Sequence, residues 1–224
     1  VIGATGYAGQ QLVWILNNHK EVEIEFISSY SNAGENMGEV YANYKKYFEK
    51  KLISQEEAEE NFGKIDVLFL ALPHGLSEKM TKKALENNVK VFDLGADFRL
   101  DDSKIYEKWY DVKHEFPEIN QSAVYGLPEL NRGRIKGSQV VACPGCYPTS
   151  AILGAAPLLK NKVVKTDKII IDSKNDYVLQ KMINNIIKKT WEKSEFFKEK
   201  EPYLRNIILS FVFSSILGLS LIHI

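Results

Sequence analysis

The chain has 224 residues, 45% of them hydrophobic and 26% charged, the composition of a folded protein with room for a sizeable core. Lys+Arg and Asp+Glu balance at 29 each, so no overall field favours nucleic acid or an anionic membrane surface. Two cysteines are too few for a disulfide framework and no signal peptide is evident, so a reducing cytoplasm is the expected compartment.

Residues 1–4 read as a strand, cut short because the chain opens at Val1 already inside it. A glycine turn follows, then a helix to about Asn18 with Leu12, Ile15 and Leu16 on one face. Residues 22–27 (VEIEFI) alternate apolar with glutamate, the pattern of a strand open to solvent on one side. Residues 45–64 are charged and expected to be helical in part. Residues 66–72 (DVLFLAL) form a continuous apolar run, as expected of a strand covered on both faces. A helix over 77–87, a strand over 89–94, a short strand over 139–142 and a helix over 148–159 complete the series. Strand and helix alternate at βαβ spacing, which predicts an α/β fold with a parallel, doubly wound sheet.

The turn after the first strand is Gly3-Ala4-Thr5-Gly6-Tyr7-Ala8-Gly9, spaced G-x-x-G-x-x-G. Glycines there permit a tight turn and let the backbone approach a pyrophosphate at the helix N-terminus, as in Rossmann-type domains. Such turns also serve as plain connectors, but the position between strand and helix favours nucleotide binding. The second strand ends in Ser28-Ser29-Tyr30-Ser31-Asn32, with no acid at its tip to hold the ribose hydroxyls of NAD. Hydroxyls suit a 2′-phosphate better, so NADP is the expected cofactor.

Both cysteines lie in VACPGCYPTSAILGA, between an expected strand and an expected helix. A metal site would need two more ligands, and the four histidines are scattered singly, so no metal is expected. Three readings stay open on local grounds: a redox pair, one nucleophile beside a buried bystander, and an inert Cys146. In the second, Cys143 ends the apolar strand as a small hydrophobe. Cys146 would sit at a helix N-terminus, where unpaired N–H groups and the positive dipole end favour the thiolate and could hold an oxyanion.

Six stretches together resemble the N-acetyl-γ-glutamyl-phosphate reductases of arginine biosynthesis: GATGYAG, SNAG, ALPHG, DLGADFRL, YGLPELNR and CPGCYPT. The resemblance runs from residue 1 to about Lys174. It implies an NADP-dependent acyl-phosphate reductase in which the Cys146 thiolate attacks N-acetylglutamyl phosphate and releases phosphate. Hydride from NADPH then reduces the thioester carbonyl, and the semialdehyde leaves. It also implies that Gly3, Thr5, Gly6, Tyr7 and Gly9 face the pyrophosphate and that Ser28, Ser29 and Ser31 face the adenosine end. Leu72, Pro73 and His74 are placed on the nicotinamide side; Arg99 and Glu129 are candidate substrate contacts. The implied partner is a small acyl phosphate, with no nucleic acid and no membrane, and the intact enzyme is expected to be a homo-oligomer. Rival readings are reduction of a related aminoadipyl phosphate, a non-catalytic NADP-binding remnant and a thiol–disulfide protein.

The resemblance divides the chain into a cofactor-binding domain over 1–143, the truncated start of an α+β catalytic domain over 144–174, and a tail over 175–224. After Lys174 the family's S-G-x-S-G-A-G-R stretch and its later histidine segment are missing; the only later histidine is His223. Residues 206–224 hold no Asp, Glu, Lys or Arg, but their serines and bare length make a membrane span marginal. The tail is read as foreign or frame-shifted sequence, ahead of a membrane tail or a helical replacement. Impaired activity is expected of the chain as written.

Overall fold

The computed structural model describes residues 1–165, 169–171 and 207–209. Apart from 207–209, the expectations for residues 175–224 lie outside the described residues. The chain divides into two compact units, Val1–Pro144 and Gly145–Ile224.

In the first unit, helix α1 (Tyr7–Asn17) leads to strand β1 (Ile27–Ser28), and α2 (Met37–Val40) to β2 (Leu52–Ile53). Then come α3 (Gln55–Glu60), β3 (Val67–Leu70), α4 (Ser77–Glu86) and β4 (Lys90–Asp93). Helices α5 (Ser103–Tyr110) and α6 (Pro117–Ser122) precede β5 (Val124–Tyr125), α7 (Pro128–Gly137) and β6 (Val140–Ala142). Every pairing among these strands is parallel: β1 with β2, and β3-β4-β6-β5 in that order. Ile2 bridges the two groups, pairing with Ser28 on one side and Leu70 on the other. The order β2-β1-Ile2-β3-β4 therefore reverses at Ile2, as in a doubly wound Rossmann-type sheet.

Side-chain alternation along the strands fills a core on each face of this sheet. Val1, Ile27 and Leu52 pack with Val13 and Leu16 of α1; Ile2, Phe26, Leu68 and Leu70 pack with Ala58 of α3 and Met80 and Ala84 of α4. Each fully buried large side chain contributes roughly 1.5–3 kcal/mol. The buried face of α1 is Gly9, Val13 and Leu16, whereas Ile15 points to solvent at 60% exposure, which corrects the expected face by one position.

Two expected strands are much shorter than their patterns. The first is reduced to Ile2, which makes one bridge on each side. Residues 22–26 form no ladder, and Lys50 Nζ donates to the carbonyls of Ile24 and Glu25. β3 is not covered on both faces either, since Val67 is 39% exposed. Residues 45–64 hold one short α-helix, α3, whose Ser54 and Glu57 form a reciprocal capping box, and a 3-10 turn over Phe62–Lys64.

The second unit contains α8 (Cys146–Lys160), which begins two residues before its expected start, and β7 (Ile169–Ile171), paired in parallel with β8 (Ile207–Leu209). Among the described residues no helix is long and apolar enough to cross a membrane.

Candidate active site

Three glycines shape the turn at the carboxyl end of Ile2, each for a different reason. Gly3 has φ +77°, and a Cβ there would lie 2.3 Å from Ala71 O. A Cβ on Gly9 would lie 2.0 Å from Gly3 O, so the first turn of α1 packs directly on the loop. Gly6, the N-cap of α1, has ordinary dihedrals (φ −73°, ψ 164°), and its Cβ would meet nothing nearer than Gly3 O at 3.5 Å. Space in front of Gly6 is therefore a cradle that a side chain would fill. The first turn of α1 carries no acidic residue and no capping side chain, leaving its N–H groups and the positive dipole end for an anion. The cradle is held from behind: Gly3 and Ala4 N–H both donate to Ser28 O, at 3.0 and 2.9 Å, and Tyr41 OH donates to Thr5 O at 2.7 Å. These residues fit a dinucleotide pyrophosphate. Tyr7, 89% exposed, stands at its rim.

The three expected adenosine-side serines fare differently. Ser28 is fully buried and its hydroxyl donates to Ser54 O at 3.3 Å, so its side chain serves the interior. Ser29, 2% exposed, shares a 2.6 Å hydrogen bond with Thr5 Oγ1 and accepts from the Asn32 N–H. Ser31 is exposed and donates to Asn32 Oδ1. The expectation of an acid-free strand tip needs correction in space: Asn32 Nδ2 donates to Glu35 Oε1 at 3.2 Å. Glu35 escaped the sequence reading because it lies three residues past the tip; the turn residues Asn32 and Gly34 were the available signal.

Leu72, Pro73 and His74 follow the carboxyl end of β3, beside the cradle: the absent Cβ of Gly3 would lie 3.5 Å from Leu72 Cδ2. Pro73 and His74 are exposed, and the His74 ring lies 5.2 Å from that of Tyr110. Their loop is anchored by Asp97, a fully buried carboxylate that accepts from Gly75 N–H (2.7 Å), Ser77 N–H (2.9 Å) and Tyr106 OH (2.9 Å). Arg99 donates from Nε to Cys143 O at 2.8 Å and from Nη2 to Leu94 O at 2.7 Å, tying the ends of β4 and β6 together. Glu129 is exposed in the first turn of α7.

Asp93, at the end of β4, is fully buried; Ser77 Oγ and Gly95 N–H donate to its Oδ1, while Oδ2 has no partner. Desolvation pushes its carboxyl up from 3.8 to about 6. The folded state then holds this proton where the unfolded state has lost it. Stability contributed by the neutral acid is complete below about pH 4 and is lost as pH rises through about 6, a cost of roughly 3 kcal/mol. In Asp93→Asn, Oδ1 can still accept both bonds and the charge is gone. Urea denaturation from pH 4 to 7.5 is expected to show the variant gaining on the wild type across that window. A constant difference across it would contradict this account.

The cysteines are both free, Cys143 half-buried and Cys146 exposed. Cys143 is less buried than expected, yet desolvation, aided by Asp93, pushes its thiol up to about 12. Cys146 is the first residue of α8, behind the N-cap Gly145, whose carbonyl accepts from Thr149 N–H and Oγ1 at 3.0 and 2.8 Å. α8 has no side-chain cap and no acidic residue in its first turn. An exposed thiol there meets backbone N–H groups suited to an oxyanion.

A parallel sheet whose strand order reverses beside a glycine cradle defines an α/β protein of the Rossmann type. Residues 1–138 match the family described as semialdehyde dehydrogenase, NAD binding domain, and the chain belongs to that family. It is similar to N-acetyl-gamma-glutamyl-phosphate reductase of Clostridium novyi (strain NT), 49% identical over 175 residues, covering 78% of this chain and 51% of that protein. The protein of the same name from Clostridium beijerinckii is 50% identical over 175 residues, covering 78% and 50%. Among solved structures, aspartate semialdehyde dehydrogenase with NADP from Candida albicans superposes with a TM-score of 0.54 at 19% identity, covering 77% of this chain and 48% of that one. That likeness is one of fold. The chain spans about half the length of the relatives it matches.

Proposed function

We propose that this chain is the cofactor-binding and nucleophile-bearing part of an NADPH-dependent reductase that converts N-acetyl-γ-glutamyl phosphate to N-acetylglutamate 5-semialdehyde. The observation that carries the reading is the exposed Cys146 thiol at the first position of α8, in a chain whose other unit holds the glycine cradle. Similarity to the clostridial reductases over 175 residues supports the substrate class. The cradle at Gly3, Thr5, Gly6, Tyr7 and Gly9 binds the pyrophosphate on backbone N–H groups. Ser29 holds the cradle's Thr5 and Ser31 faces the adenosine end; Leu72, Pro73 and His74 border the nicotinamide side. Arg99 and Glu129 remain candidates for the substrate end, Arg99 with two of its donors already on carbonyls.

Cys146 thiolate attacks the acyl carbon, the C–O bond to phosphate breaks, and a thioester forms on the enzyme. NADPH, when bound, supplies the hydride that reduces this thioester. Hydride addition leaves an oxyanion on the former carbonyl oxygen, whose collapse forms the semialdehyde and expels the Cys146 thiolate; a general acid that protonates this oxyanion takes the same proton back as a base on collapse. Both cysteines are free, which suits a reducing cytoplasm.

The test runs the reaction backward: the full chain is given NADP, phosphate and N-acetylglutamate 5-semialdehyde, and NADPH formation is followed by absorbance, alongside NADPH binding. Beyond Lys174 the sequence offers only His223 as a histidine base. General acid–base help is worth about 10²–10⁴ in rate, so turnover is expected to fall short of a complete reductase by that order, with binding retained. Binding with no turnover at all would instead identify a cofactor-binding remnant.

A further inference from the structure

Away from the cradle and the cysteines, a carboxylate and an imidazole are buried together where the chain beyond α5 meets the start of α4. Glu78 and His114 are both buried, and Glu78 Oε2 lies 3.2 Å from His114 Nδ1. The same oxygen accepts from Glu115 N–H at 2.6 Å and from Phe116 N–H at 3.2 Å. Phe116 N–H also lies 3.3 Å from Nδ1, so the two acceptors share it. On the far side of the ring, Nε2 is 2.9 Å from Asp97 O, which can only accept, so the hydrogen of the neutral ring is assigned to Nε2. Without a second proton, Nδ1 would turn its lone pair toward a carboxylate oxygen. One proton between them makes a charge-assisted hydrogen bond instead. Burial pushes the Glu78 carboxyl up from its ordinary value, opposed by the two amides and by His114.

We propose that Glu78 and His114 hold one proton between Oε2 and Nδ1 and with it latch residues 113–116 and the Asp97 loop to the start of α4, a latch that opens as rising pH removes the proton. The neighbouring charged groups are engaged elsewhere. Tyr106 OH donates to the Asp97 carboxylate, and Glu107 Oε1 accepts from His114 N–H. Lys79 pairs with Glu115 at 3.5 Å, Lys82 lies over the Phe116 ring at 5.0 Å, and Lys113 is exposed. Among the described residues no Lys or Arg pairs with Glu78. The latch reaches further through Asp97: His114 holds its carbonyl, while its carboxylate holds the N–H groups of Gly75 and Ser77. An unfolded histidine gives up its proton at about 6.5. Below that value both states are protonated and the latch contributes in full. Its contribution is lost as pH rises through the folded pair's own value, which belongs to the pair and not to either residue. The inference stands whether or not the cradle binds a dinucleotide.

Amide hydrogen exchange in the full chain, followed by NMR from pH 7 to 9 and corrected for the intrinsic rate at each pH, tests the latch. In the wild type, protection at Gly75, Ser77, Glu115 and Phe116 is expected to fall by about tenfold or more across that range, the effect of one unit of displaced titration. Val91 and Phe92, inside β4, should keep their protection. In Glu78→Gln the side-chain oxygen still accepts from the Glu115 and Phe116 N–H groups, and no charge faces Nδ1. Its protection at the same four amides should not change with pH. A flat wild-type profile overturns the inference without reference to any variant. So does a loss shared equally by Val91 and Phe92, which would be global unfolding, or a Glu78→Gln profile as steep as that of the wild type.

Discussion

Replacing Gly6 with valine is expected to leave the fold intact and to weaken NADPH binding by at least about 100-fold, or roughly 2.7 kcal/mol. The backbone at Gly6 is in a region any residue adopts, and its Cβ would meet only Gly3 O at an ordinary 3.5 Å. The side chain therefore points into open space, the space a pyrophosphate needs to reach the N–H groups of α1. Gly3→Ala and Gly9→Ala make the contrast. Their Cβ atoms would overlap Ala71 O and Gly3 O, and at Gly3 a positive φ adds strain. Those two variants should lose several kcal/mol of stability, beyond the usual range for a single substitution. Fluorescence titration with NADPH, run beside thermal unfolding, separates the cases. A Gly6→Val chain with wild-type melting and wild-type affinity would remove the cradle from the site.

Cys146→Ser should abolish both the fast-reacting thiol and any semialdehyde-dependent NADPH formation, with cofactor binding unchanged. The wild-type chain offers one exposed thiol, while Cys143, pushed up to about 12, holds only about one part in 10⁴ as thiolate at pH 8. Iodoacetamide at that pH is expected to label one site per chain in the wild type and none in the variant until urea exposes Cys143. Equal labelling of both cysteines would favour a redox pair. Retained turnover in Cys146→Ser would sink the nucleophile assignment.

Much of this was legible from local pattern. The stretch Gly3 to Gly9 named its own turn because glycine spacing is a property of neighbours in the chain. The helix α4 and the strands β4 and β6 followed from apolar periodicity. Helices α5, α6 and α7 and strand β5 did not enter that reading: the helices are six to ten residues long, β5 has two residues, and α7 buries none of its side chains, although α5 is amphipathic. Ser28 was misplaced because a strand tip alternates between cofactor and core, and only packing shows that its hydroxyl turns to Ser54 O.

The sequence by itself determined the class of sheet, the position of the cradle and the two unlike cysteines, since each depends on spacing within a dozen residues. Tertiary structure decided which groups those motifs meet. Asp97 anchors the His74 loop from 20 residues away, Arg99 reaches the carbonyl of Cys143 from 44, and Gly3 must be glycine because Ala71 O stands behind it. Such contacts arise where parallel strands bring distant loops to one edge of the sheet, and no local periodicity encodes that meeting.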